Sequence, residues 1–106
     1  MKVDFAKKKI KTILGEHVKF KGKYEKTFEN MSQNFQNELL VWVEKCVLKE
    51  VPVIQSEKYA EIIGFIKKTG EGNNRAMIIK RKNGDFIEFY LGNHKYYDQE
   101  RNNWGF

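Results

Sequence analysis

The chain has 106 residues, 41% of them apolar, with eight Phe, five Tyr and two Trp, and a formal net charge of +6. This composition excludes a disordered chain and leaves room for one domain, residues 1–106, around a modest core. A single cysteine, Cys46, excludes an intramolecular disulfide and a multi-cysteine metal site, as suits a reducing compartment. The start Met1-Lys-Val-Asp lacks the apolar run of a signal peptide, and no stretch has the length of a membrane span, so a cytoplasmic protein without membrane contact is expected.

The charge is unevenly placed. Residues 7–26 hold eight lysines against Glu16 and Glu25, a balance of +6, so the remaining twelve cations and twelve acids cancel. Such a patch attracts phosphates through counterion release. The plainer reading is a solvated lysine-rich face.

In chain order, Lys2–Phe5 reads as a short first strand. Ile10, Ile13, Leu14 and Val18 then recur at helical spacing, with Gly15 inside that helix, His17 on its surface and Gly22 at a turn. Phe28, Met31, Phe35, Leu39, Trp42, Val43 and Cys46 mark a second helix over about 30–49, which Pro52 closes. Cys46 falls on its apolar stripe, as a small buried hydrophobe. Residues 56–65 fit a short helix leading into a strand, or mostly strand. Residues 69–74 read as a loop.

Arg75 to Leu91 forms a hairpin about Asn83-Gly84, a dipeptide suited to a two-residue type I′ turn. That turn sets Lys80 opposite Ile87, Ile79 opposite Glu88, Ile78 opposite Phe89 and Met77 opposite Tyr90. Alternation then collects Ala76, Ile78, Ile87, Phe89 and Leu91 on a core face. Arg75, Met77, Ile79, Arg81, Phe86, Glu88 and Tyr90 fall on the other, joined by His94 if the strand runs past Gly92. The order of elements predicts an α+β domain, its N-terminal helices packed on one face of a small C-terminal antiparallel sheet and the Arg75/Arg81/Tyr90 face open.

His94 is the candidate acid/base, its imidazole titrating nearest neutrality. Arg75 and Arg81 are candidates for binding phosphates with two oxygens each, or for pairing with Glu88. Tyr90, Tyr96 and Tyr97 offer rings for stacking or for core filling. Asp98 can orient His94 or cap a turn. Lys67, Lys68 and Lys95 are candidate phosphate contacts. His17, Cys46 and His94 make no zinc pattern, and neither a metal nor another cofactor is expected.

The run Gly92-Asn-His94-Lys-Tyr-Tyr97-Asp98, following a strand that Arg75 opens, resembles the RelE/ParE superfamily of toxins from toxin–antitoxin pairs, and HigB-like members in particular. The likeness rests on element order along the whole chain and on a motif of about 25 residues. It departs in the glycine-broken, lysine-rich first helix and in the tail Gln99–Phe106. Alternation places Tyr96 beside His94, whereas the family pattern selects Tyr97. The resemblance implies a RelE-like fold and a metal-independent mRNA endonuclease, ribosome-dependent, acting by 2′-hydroxyl attack and held inactive by a cognate antitoxin. The alternative it carries is a non-catalytic ParE-like gyrase inhibitor or an inactive RNA-binding relative.

Overall fold

The computed structural model describes residues 2–68 and 73–106, with the side chain of Lys68 left out. Among them are four helices and a five-stranded mixed sheet. The first helix, α1, runs Val3–Leu14 and buries Ala6, Ile10 and Leu14, residues four apart on one stripe. Val3 sits on the same side and packs against the core, so the expected first strand at 2–5 is instead the opening turn of α1. The helix stops at Gly15, whose amide donates to Lys11 O at 2.7 Å, and His17 lies exposed in the turn beyond.

Strand β1, Lys19–Lys21, follows within the stretch expected to be helical. Its Phe20 faces the core, while Lys19 and Lys21 flank it. Gly22 (φ 78°) turns the chain, and a Cβ there would stand 2.5 Å from Leu91 O. Only glycine allows that approach, which draws the segment after β1 onto the end of the last strand.

Helix α2 (Tyr24–Glu29) and helix α3 (Gln33–Val47) replace the single helix expected over 30–49. Phe28 belongs to α2 and Met31 to the joint. Ser32 breaks the run by capping α3, its Oγ accepting from Phe35 N at 3.3 Å. The two helices are tied by Gln36, whose buried Nε2 donates to Phe28 O at 2.8 Å. Helix α3 ends before Pro52. Lys49 takes φ 58°, Glu50 N donates to Lys45 O and Lys49 N to Cys46 O, the bonding of a Schellman close.

The sheet continues with β2 (Ile54–Gln55), β3 (Ile62–Lys68), β4 (Asn74–Arg81) and β5 (Phe86–Asn93), in the order β1-β5-β4-β3-β2. Strand β1 is parallel to β5 and the other pairs are antiparallel, so the sheet is mixed rather than purely antiparallel. Between β2 and β3 the chain turns around Ser56, whose Oγ accepts from Lys58 N and Tyr59 N and donates to Trp104 O at 2.6 Å. This settles 56–65 as a turn and strand. Of the loop expected over 69–74, residues 69–72 lie outside the described residues, and Asn74 already begins β4.

The hairpin keeps the expected register from its open end as far as Ile79 and Glu88 and loses it toward the turn. Ala76 to Ile79 pair with Leu91 to Glu88, but Lys80 then pairs with Phe86 through a bulge. Arg81 N donates to Asp85 O and Gly84 N to Arg81 O, and neither Asn83 nor Gly84 has positive φ, so the turn is not type I′. The bulge exchanges two side chains between faces. Phe86 packs with the helices, where Ile87 was expected, and Ile87 joins the opposite face.

Helices α1–α3 cover the face carrying Ile63, Phe65, Ala76, Ile78, Phe89 and Leu91. The other face is not open. Helix α4 (His94–Trp104) folds back over it, laying Tyr97 and Trp104 on Ile62, Met77, Ile79 and Tyr90, with Phe106 beyond. Gly64 leaves room for the Phe106 ring, which a Cβ would meet at 2.7 Å. No helix among the described residues is long and apolar enough to cross a membrane.

Candidate functional site

Strand β5 ends at Asn93, whose Oδ1 accepts from Tyr96 N at 3.3 Å and caps α4. His94 is therefore the first residue of a helix rather than the continuation of a strand. One turn on, Asp98 Oδ2 lies 3.3 Å from His94 Nδ1, with both side chains about half exposed. A carboxylate at that distance favours a proton on Nδ1, the ring nitrogen nearest to it.

Behind this pair sits Tyr97, buried, its ring centroid 6.4 Å from that of His94 and 6.1 Å from that of Tyr90. Arg101 places its guanidinium 5.7 Å from the Tyr97 centroid, and its buried Nε has no hydrogen-bond partner among the described residues. Burial raises the Tyr97 phenol above its ordinary range, with Asp98 adding to this and the Arg101 and Arg75 charges opposing it. Tyr97 thus stays protonated at neutral pH and does not act as a base. Arg75 lies opposite Gly92 on β4 and donates to Asn74 O at 2.9 Å. The four residues expected to be catalytic, His94, Arg75, Tyr97 and Asp98, thus gather where β4, β5 and α4 meet.

The expected RNA contacts are dispersed. Tyr96 is half exposed, with Lys95 Nζ 5.9 Å from its ring centroid. It borders a groove of about 260 Å³ walled by Lys23, Lys26 and Thr27 on one side and Tyr90 and Asn93 on the other. Tyr90 is almost wholly buried, donates its hydroxyl to Asn93 O at 3.3 Å, and has its phenol pushed up to about 12 by burial and by the Glu100 and Glu88 carboxylates. At 100° per residue, Tyr96 lies on the opposite flank of α4 from His94 and Asp98. Tyr97 is buried between them, so Tyr96 is the ring free to stack.

Arg81 is at the far end of β4, roughly 20 Å from Arg75 at about 3.3 Å per residue, beside Glu61 and Trp104. Lys67 pairs with Ala76 and borders a groove with Trp42 and Val41 on the α3 side of the sheet. Lys68 pairs through its backbone with Arg75, and its expected side-chain contact lies outside the described residues.

Arg101 was not among the expected site residues, and the place of Lys23 and Lys26 beside Tyr96 was not foreseen. Arg101 stands one turn beyond Tyr97, a spacing that has meaning only once 94–104 is known to be helical. Lys23 and Lys26 come to border the same groove as Tyr96, a juxtaposition no local pattern encodes. Glu88 is a third surprise. It is buried beneath α4, where it accepts from Trp104 Nε1 at 3.3 Å and has its carboxyl pushed up to about 7 by burial and by Glu100.

Comparison with known proteins finds no matching family model, no matching curated protein and no matching solved structure.

Proposed function

We propose that this chain is a metal-independent endoribonuclease, acting as the toxin of a toxin–antitoxin pair on mRNA in the ribosome. The observation that carries the chemistry is the His94–Asp98 pair at 3.3 Å, half exposed, with Arg75 on the neighbouring strand opposite Gly92. His94 Nε2 takes the proton from an RNA 2′-hydroxyl, whose oxygen attacks the adjacent phosphorus. The bond to the 5′-oxygen breaks, that oxygen takes a proton from solvent, and the products are a 2′,3′-cyclic phosphate and a 5′-hydroxyl. Asp98 holds the imidazole in the required tautomer and offsets the charge it acquires. Arg75 and Lys95 stabilise charge on the phosphoryl oxygens. The RelE/ParE assignment belongs to this proposal, supported by the packing of α1–α3 on one face of the β3–β4–β5 sheet and by Gly92-x-His94-x-x-Tyr97-Asp98, although α4 covers the face that was expected to be open.

The burial of Tyr97 favours a second reading, a relative that binds RNA or inhibits gyrase without cutting, because a buried phenol cannot reach substrate. One experiment separates them. Wild type and His94→Ala are induced in a bacterial host and mRNA 5′ ends are mapped by primer extension. New ends that vanish in the folded variant support the nuclease. Arrest with intact mRNA and a DNA-damage response supports gyrase inhibition, and neither arrest nor cuts supports a plain binder.

A further inference from the structure

The charge excess of residues 7–26 and the C-terminal motif lie far apart in sequence, yet the fold joins them. Lys23, Lys26 and Thr27 occupy one side of α2 and its cap, at the three- and four-residue spacings that align side chains on a helix. They face Asn93 and Tyr96 at the start of α4. The same two lysines also border a wider groove of about 680 Å³ that runs on to Lys7 and Phe20, where Lys7 Nζ stands 5.1 Å from the Phe20 centroid. Tyr24 lines this second stretch, buried, and its hydroxyl has no hydrogen-bond partner among the described residues. The acids Glu25 and Glu29 also border it, so the balance of Lys7, Lys23 and Lys26 against them is +1, and the narrower stretch beside Tyr96 is bordered by cations without acids.

We infer that this continuous groove, from Tyr96 across Lys23 and Lys26 toward Lys7, binds a single-stranded segment of nucleic acid, with one base stacked on Tyr96 and its phosphates on the lysines. The inference deepens the nuclease reading and rests on it, placing a part of the substrate away from the cut on the flank of α4 opposite His94. Single strands are required because a half-exposed ring can stack only on a base that is not already stacked in a duplex. Lysine ammonium groups suit phosphates as mobile point charges, without demanding a sequence. Thr27 and Asn93 supply polar groups for sugar or base edges.

The test is equilibrium binding of a 2′-deoxy oligonucleotide, which cannot be cut, across a range of salt. Lys23→Gln/Lys26→Gln is expected to flatten the plot of log affinity against log salt by about 1.4, two contacts at about 0.7 each. Tyr96→Ala is expected to weaken binding about tenfold with the slope unchanged. Lys8→Gln/Lys9→Gln removes equal charge from the exposed side of α1 and is expected to change the slope less. Equal slopes for both lysine pairs, preference for a duplex of the same length, or no binding by wild type would overturn the inference. Parallel mapping of mRNA 5′ ends in cells that express wild type or Lys23→Gln/Lys26→Gln keeps the two readings apart. Cutting without a Lys23/Lys26 effect sinks the groove alone, whereas groove binding without cutting sinks the nuclease alone.

Discussion

The Trp104 indole N–H donates to the Glu88 carboxylate at 3.3 Å, joining the last turn of α4 to the middle of β5. Glu88 is buried there with a second carboxylate, Glu100, beside it, and Lys21 and the indole only partly offset the cost of its charge. Burial is the largest cause of its raised pKa, from the ordinary 4.5 to about 7. A carboxyl raised on folding contributes stability that is complete below its unfolded value and is lost as pH rises through its folded value. Stability is therefore expected to fall between pH 4.5 and 7 from this group. Glu88→Gln keeps an acceptor for Trp104 and cannot ionise. Urea melts from pH 5 to pH 8 are expected to show the variant with a flatter profile and, at pH 8, more stable on the order of 2–3 kcal/mol. Identical pH slopes for the two proteins would rule out Glu88 as the titrating group.

Gly22 is the hinge between the N-terminal charge and the C-terminal motif. Its φ of 78° and the 2.5 Å distance from an added Cβ to Leu91 O act together. Gly22→Ala pays a left-handed backbone cost and a clash with main chain that cannot rotate away, for a loss of about 2–4 kcal/mol. The midpoint of urea unfolding measures it. A loss below half a kcal/mol would mean that the β1–α2 segment does not sit on β5 as described.

Lys49 offers the opposite sign. Its φ of 58° closes α3 in a conformation that carries a steric cost for any side chain with a Cβ. It is exposed, so little packing is lost on removing the side chain. Lys49→Gly is expected to stabilise the protein by about 0.5–1 kcal/mol, the relief exceeding the extra freedom glycine gives the unfolded chain. A shift of the urea midpoint upward with unchanged slope is the expected result, and a downward shift contradicts it.

These sites mark the boundary of what the residues declared in advance. The stripe from Leu39 to Cys46 identified α3, and the pairing of Ile78 with Phe89 was readable because alternating apolar residues make one register bury a whole face. Strand β1 was hidden because Lys-Phe-Lys presents one apolar residue to the core, too few for a period. The bulge was hidden because Asn83-Gly84 permits positive φ without requiring it, and the choice was made by the neighbouring contacts Lys82 N to Glu61 O and Arg81 N to Asp85 O. Helix α4 was hidden because Tyr97 and Trp104 are the only two large rings it turns inward, seven residues apart among charges and amides. The same helix rearranged the candidate site. It turned the sequence interval between His94 and Asp98 into a contact, buried Tyr97, and set Tyr96 on another flank.

That contact separates two roles for Asp98. If Asp98 acts by orienting His94, its effect on cleavage passes entirely through the imidazole. In the proposed nuclease, Asp98→Asn is then expected to slow cleavage of ribosome-bound mRNA about tenfold, and His94→Ala about a hundredfold or more. Adding Asp98→Asn to His94→Ala is expected to change nothing further, since groups that act as a unit are not additive. A carboxylate that only supports the helix would instead give the same proportional loss in both backgrounds, together with a fall in thermal stability. Both side chains are about half exposed, so neither substitution leaves a cavity, and the fold is expected to survive all three variants. Rates and melting midpoints measured on the same preparations decide between them. An additive loss in the double variant would remove Asp98 from the site while leaving His94 in it.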